Sequence, residues 1–337
     1  MTGAPIRLAV RDPALSATVV RRTALRYAAG ADPSLDRPAH VRAGSSLARV
    51  PGGLAVVQDD ANFVALVAPD GTVGSVTLPA GADGRRQFDD GRGNKRFKLD
   101  LEAGFAAIVD GETLLVAFGS GSLPARETVV LVRGWEHSAP AATVVPTPAL
   151  YARLRAAAAF AGSELNVEGA VLVGDRVRLF NRGNGAPTAD RAAVDATADL
   201  DWPALLAHLR APDAAPPPEP RAIVAYDLGT IDGVRLTFTD AATWDDRMLF
   251  LAAAEQSPDA TRDGAVAGAA VGVIDADGRT RWAPLHTADG LPFPGKPEGL
   301  ALRVDGPDLS LDVVLDVDDP ERPAELCAVA LGGPWRR

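Results

Sequence analysis

The stretch that decides the fold is Glu298-Gly299-Leu300-Ala301-Leu302, followed after a turn by Leu311-Asp312-Val313-Val314-Leu315-Asp316. An acid opens a short apolar strand, a turn follows, and a second apolar strand ends in polar residues. Four earlier segments share this form. Ser46-Leu47-Ala48-Arg49-Val50 leads to Leu54-Ala55-Val56-Val57-Gln58-Asp59-Asp60, and Glu102-Ala103-Gly104-Phe105-Ala106 leads to Leu114-Leu115-Val116-Ala117-Phe118-Gly119-Ser120. Glu168-Gly169-Ala170-Val171-Leu172 leads to Val177-Arg178-Leu179-Phe180-Asn181-Arg182, and Asp240-Ala241 to Met248-Leu249-Phe250-Leu251 and Glu255.

The segments recur at intervals of roughly sixty residues, too long for a two-helix solenoid and long enough for four strands with their loops. Third strands are expected at Val64–Val67, Thr128–Val132, Ala222–Tyr226, Ala270–Ile274 and Leu326–Val329, with hairpin signals such as Pro69-Asp70-Gly71 and Asp277-Gly278. The reading is an all-β fold, a β-propeller of five blades with six still open, occupying residues 1–337 as one domain. The last repeat runs out of chain after its third strand. Ile6–Val10 or Thr18–Val20 is therefore expected to complete it, closing the ring and covering an exposed edge. A two-domain β-sandwich is the rival.

Loop lengths single out one face. Pro51-Gly52-Gly53, Asp110-Gly111-Glu112, Gly174-Asp175 and Asp245-Asp246 are tight connections assigned to the lower face. Insertions at about 79–101, 146–165 and 183–220 are assigned to the upper face, where long loops on a rigid scaffold carry binding and catalysis. Within them Ala149–Ala161 reads as a short helix. A second helix starts at Asp201 with Pro203 in its first turn and stops before Pro212. The 183–220 segment is expected to act as a lid over the central channel.

Bulk properties remove several function classes. A net charge of −10, with no long basic run, disfavours a phosphate-backbone partner, so no nucleic acid is expected. Met1–Arg11 holds no apolar stretch of signal-peptide length and no window approaches membrane-spanning length, so a cytoplasmic protein is expected with no membrane partner. Cys327 is the single cysteine, which rules out an intrachain disulfide or a cysteine-clustered zinc site. The four histidines show no metal-ligand spacing, and neither a Gly-x-Ser-x-Gly elbow nor a P-loop occurs.

In a propeller the residues opening the inner strands surround the channel mouth, so Ser46, Glu102, Glu168, Asp240 and Glu298 are expected to converge. Carboxylates brought together repel unless a cation, a proton or a basic side chain compensates. One answer is Ca²⁺ or another divalent cation held by Glu102, Glu168, Asp240 and Glu298. Lys98, Asn166, Arg182, Glu255 and Lys296 would then face a substrate, and the ion would activate water or polarise a phosphoryl or lactone oxygen. The other answer lies in the lysines. Only Lys95, Lys98 and Lys296 occur in the chain, and the last two flank ring carboxylates and could neutralise them outright.

Asn166-Val167-Glu168-Gly169, Lys296-Pro297-Glu298-Gly299-Leu300-Ala301 and Thr239-Asp240-Ala241 with Ala254-Glu255 resemble motifs of an uncharacterised bacterial β-propeller family. More distantly they resemble those of the esterase-like phytases. The Glu-Gly strand start is similar to that of the gluconolactonase and paraoxonase superfamily, whose propellers hold Ca²⁺ at the channel. The resemblance implies channel-facing Glu168 and Glu298; Glu102 and Asp240 match less well, and Ser46 departs from the acidic pattern. Two functions follow as expectations: a divalent-metal-dependent hydrolase of a small phosphoester or lactone, or a non-catalytic propeller binding a small molecule or a protein partner through its upper loops.

Overall fold

Alternating apolar residues in short runs, separated by Gly- and Asp-rich turns, fold into strands almost throughout. The computed structural model describes residues 5–81, 84–137, 139–262, 264–305 and 308–336. Two strands come first, β1 (Ile6–Arg11) and β2 (Ser16–Ala24). A first unit follows: β3 (Gly44–Val50), β4 (Gly53–Gln58), β5 (Phe63–Val67) and β6 (Val73–Thr77). The second is β7 (Leu101–Val109), β8 (Glu112–Gly119), β9 (Thr128–Arg133) and β10 (Ala141–Pro146), and α1 (Pro148–Ala156) and α2 (Ala158–Ala161) lead out of it. The third is β11 (Val167–Val173), β12 (Arg176–Asn181), β13 (Asp195–Asp201) and, after α3 (Trp202–Arg210), β14 (Arg221–Asp227). Short β15 (Thr230–Ile231) precedes the fourth, β16 (Val234–Trp244), β17 (Arg247–Glu255), β18 (Val266–Ile274) and β19 (Thr280–Thr287). The fifth contains β20 (Lys296–Asp305), β21 (Asp308–Asp316) and β22 (Glu325–Gly332).

Within each unit consecutive strands pair antiparallel. The N-terminal β2 pairs antiparallel with β22 and supplies the fifth unit's fourth strand. By hydrogen bonding the sheets do not close on themselves. Two are four-stranded, whereas the last three units merge into a 14-stranded sheet. The merger comes from the N-terminal strands: β1 lies parallel to both β14 and β19, and β2 also runs parallel to β19.

Burial adds a cyclic pattern. Five apolar clusters form, each between two successive units. Phe105 and Leu179 meet between the second and third units, Phe180 and Phe250 between the third and fourth, and Leu251 and Val313 between the fourth and fifth. Val57 and Leu115 join the first and second units, and Leu47 and Val314 join the fifth back to the first. The inner strands β3, β7, β11, β16 and β20 likewise touch in cyclic order, β20 against β3 included. At the lower end of their axis lies a cavity of about 310 Å³, lined by Leu47–Arg49, Gly104–Ala106, Ala170–Leu172, Ala241–Thr243 and Leu300–Leu302. Each inner strand contributes three residues at the same offset.

One strand assignment in the third unit changes. Its third strand is Asp195–Asp201, and Ala222–Tyr226 belongs to the fourth. Helix α3, capped by Asp201 accepting from the Ala204 amide (2.8 Å), therefore joins strands three and four, not two and three. Such a connection lies on the lower face, and Arg210 accordingly pairs with Asp110 in the tight β7–β8 turn. The part of the 183–220 segment that holds α3 is thus no upper-face lid over the acidic ring, whereas residues 183–194, which join β12 to β13, stay on the upper face. Among the described residues no helix is long and apolar enough to cross a membrane.

The inner strands are packed too closely for a side chain at Gly299, where an added Cβ would stand 2.7 Å from the Ser46 Cα. Gly299→Ala is expected to lower unfolding stability by about 1–3 kcal/mol in a denaturant titration, as overpacking does. Gly74→Ala, whose Cβ would meet nothing nearer than the Leu66 carbonyl at 4.0 Å, serves as the control and should stay within about 0.5 kcal/mol.

Candidate functional site

Every inner strand carries an extra residue at the same place. The pairing register shifts between Gly44 and Ser46, Leu101 and Ala103, Val167 and Gly169, Phe238 and Asp240, and Pro297 and Gly299. The bulged residues are therefore Ser45, Glu102, Glu168, Thr239 and Glu298. A bulge leaves its residue outside the ladder and re-aims the side chain. Here Ser45 and the three glutamates line an upper cavity of about 330 Å³. The Ser45 hydroxyl donates to the Leu101 carbonyl, and that of Thr239 to the Pro297 carbonyl at 2.7 Å, each across a seam between units.

Alternation along the strand places the residue two positions earlier on the same face. Asp100, Asn166 and Lys296 stand there and line the cavity, as do Asp59, Arg182 and Asp316 from the ends of the second strands. The 79–101 insertion adds Asp89, Asp90, Lys95 and Lys98.

The charges divide into two groups. In one, Lys98 Nζ lies 2.6 Å from Asp59, 2.7 Å from Asp100 and 3.3 Å from Asp60, and Arg126 lies 2.8 Å from Asp100. In the other, Arg182 reaches Glu255 at 2.5 Å, Glu168 at 3.4 Å and Glu298 at 3.9 Å. Lys296 lies 3.2 Å from Glu298, and Asn166 Nδ2 donates to Glu168 at 2.7 Å. Glu102 stands between the groups. Among the described residues it accepts no hydrogen bond and joins no ion pair, although its carboxylate comes within 4.8 Å of those of Asp59 and Asp100.

Among the described residues ten acidic and six basic ones line the cavity. Burial, reinforced by Asp59, Glu168 and Asp100, pushes the Glu102 carboxyl well above the usual carboxylate range. Burial opposes ionisation of Asp100 too, but Lys98 and then Arg126 outweigh it and hold this group below its ordinary value. Burial lifts Glu298 to about 8 against Lys296 and Arg182, and Asp316 to about 7 against Lys296.

Of the residues singled out in the sequence, Glu102, Glu168, Glu298, Lys98, Asn166, Arg182 and Lys296 line this cavity. Glu255 is not part of the lining and reaches it through Arg182; its other oxygen accepts from the Gly264 amide at 2.7 Å. Asp240 does not join the ring. It follows the bulge at Thr239 and is equivalent to Gly169 and Gly299, and a one-residue offset turns a side chain to the opposite face. Its Oδ2 accepts from the Leu300 amide at 2.8 Å, in the seam between β16 and β20. Ser46 is displaced in the same way, and Ser45 takes its place. Asp100 and Arg126 were not singled out, although the alternation Lys98-x-Asp100-x-Glu102 marks three residues of one face.

The residues do not fit a divalent cation held by Glu102, Glu168, Asp240 and Glu298. Asp240 is turned away, and Arg182 and Lys296 contact Glu298, Arg182 contacting Glu168 as well. The tighter triad of Asp59, Asp100 and Glu102 has oxygens close enough for one ion, but the Lys98 ammonium is seated against two of them.

Residues 40–331 match a family of unknown function, DUF6929, and the chain belongs to that family. A comparison with curated protein sequences finds no match. Among solved structures the chain is similar to an α-L-arabinofuranosidase from Podospora anserina, at 10% identity over 99% of this chain and 98% of that one, with a TM-score of 0.41. It is also similar to a structure from the GH130 family of mannoside phosphorylases, a family that contains glycoside hydrolases targeting β-1,2-mannosidic linkages in Candida mannan (10% identity, 86% and 84% covered, TM-score 0.44). A third is an exo-1,5-α-L-arabinanase from a bovine ruminal metagenomic library (9% identity, 86% and 92% covered, TM-score 0.43).

The raised carboxyl groups fix the sign of the pH dependence. Asp195 is buried and lifted to about 6 despite Arg235 at 2.9 Å, joining Asp316 at about 7 and Glu298 at about 8. Free aspartate and glutamate titrate near about 4. Between that value and about 8 the folded chain binds more protons than the unfolded one, and stability falls as pH rises. The thermal midpoint is expected to drop steadily from pH 5 to 9, with Glu298→Gln flattening the portion near pH 8. A midpoint that climbs over this range would contradict the assignment.

Proposed function

We propose that the five units are the blades of one five-bladed β-propeller and that its acidic upper cavity hydrolyses a small uncharged ester such as a lactone. The observation that carries this reading is Glu102. It is a cavity-lining carboxyl with no hydrogen bond or ion pair among the described residues, and burial and its acidic neighbours shift it toward the protonated form. A protonated carboxyl in that state is equipped to give a proton to a departing or developing oxyanion. Asp100, on the same strand face, is driven the opposite way and stays ionised. Environments that push neighbouring carboxyls apart are the usual basis for separate acid and base roles.

Glu298, at about 8, exchanges its proton near neutral pH and suits the base that takes a proton from attacking water. Arg182 and Lys296 hold it in place, and Asn166 orients Glu168 beside it. This chemistry runs without a bound metal.

A second reading rests on the Arg182 group. Glu168, Glu255 and Glu298 share Arg182, and such a network serves a non-catalytic propeller equally well. A panel of small lactones and activated esters separates the two. Turnover by the wild-type chain, insensitive to EDTA and reduced about 10²- to 10⁴-fold in kcat by Glu102→Gln but little changed by Asp240→Asn, is the expected result. Thermal stabilisation by a panel member that is never turned over would replace hydrolysis with binding.

A further inference from the structure

We infer that Lys98 is a built-in counter-ion occupying the cation position between Asp59, Asp60 and Asp100, so that the wild-type chain takes no divalent ion there and a chain lacking this ammonium does. The inference stands whether or not the cavity hydrolyses anything.

Only three lysines occur among 34 basic residues, and one of them is set where several carboxylates meet. Lys98 is 5% exposed, and its Nζ contacts three carboxylates at 2.6, 2.7 and 3.3 Å. An ammonium suits that position. It is a compact point charge with three donors, whereas a guanidinium is a planar fork made for paired contacts. A charge this deeply buried persists only when paired, and here the pairing carboxylates outnumber it.

The surrounding donors are all hard carboxylate oxygens, the ligand class of Ca²⁺. Asp59, Asp100 and Glu102 already place oxygens within 4.8 Å of one another. Glu102 takes no contact from Lys98, so it is a fourth oxygen ligand left over once the ammonium has met the other three. Among the described residues, removal of the ammonium would leave Asp59 with no basic partner and Asp60 and Asp100 with one guanidinium each, Arg42 at 3.6 Å and Arg126 at 2.8 Å, and a hard cation in the vacated position would restore the lost positive charge.

Calorimetric titration with Ca²⁺, alongside Tb³⁺ luminescence, tests this on the full chain. For the wild type no saturable binding dependent on Asp100 is expected below millimolar Ca²⁺. Lys98→Met should bind Ca²⁺ at least tenfold more tightly than the wild type and gain thermal stability from it, and a further Asp59→Asn should remove both gains. Lys98→Met that folds only when Ca²⁺ is supplied would support the inference equally. Saturable wild-type binding abolished by Asp100→Asn would overturn it, as would a folded Lys98→Met with no greater affinity. Should Lys98→Met fold under neither condition, the wild-type titration decides.

Discussion

One residue too many in each inner strand governs which side chains face the axis. A strand shows its residues to alternate faces, so a single inserted position exchanges everything after it between channel and seam. Because all five insertions fall at equivalent places, the residues they expel from the ladder meet at one level. Three are glutamates and two carry hydroxyls, and the hydroxyls at Ser45 and Thr239 are spent on carbonyls of the next unit. The acidic ring is therefore lopsided. Its carboxylates come from the second, third and fifth units, and the remaining two positions stitch neighbours together.

That lopsidedness explains how the charges are met. Ionised groups removed from water cost several kcal/mol each unless partnered. Arg182 crosses from the third unit to Glu255 in the fourth and Glu298 in the fifth, and Lys98 crosses from the second-unit approach to Asp59 and Asp60 in the first. Each cation thus ties units together as well as balancing charge. Asp100, just ahead of β7, adopts a left-handed backbone conformation (φ 56°), one that aspartate tolerates better than most side chains. What the two sets of pairs leave between them is Glu102, whose carboxylate lies within 4.8 Å of those of Asp59 and Asp100.

Much of this was legible in the chain. Apolar runs of strand length, Gly- and Asp-marked turns and a loose repeat are local signals, and they located the inner strands, most third strands and the pairing of an N-terminal strand with the last unit. Asp195–Asp201 was missed because Asp-Ala-Thr-Ala-Asp-Leu-Asp alternates acids with small residues, and only its neighbours make it a strand. The mistaken third strand then carried α3 to the wrong face. Asp240 was misplaced by one position because a bulge leaves no mark in local sequence: Thr239-Asp240 offers an acid just where the pattern wants one. Parallel pairing of β1 with two units was illegible for a similar reason, since it needs no hairpin and leaves no turn behind.

The double bridging by the N-terminal strands has a consequence for assembly during synthesis. β2 takes its partners from β19 and β22, and β1 from β14 and β19, so both strands are made long before their partners: β1 waits for the end of the third unit and β2 for the fourth and fifth. The first and second units can close on local hairpins as they leave the ribosome. The later three find β1 and β2 already made, and it is these two strands that wait with naked edges, Ile6, Leu8 and Val10 of β1 being still largely exposed in the finished fold. β1 and β2 are therefore open to capture by a neighbouring chain from their own synthesis until β19 and β22 have emerged.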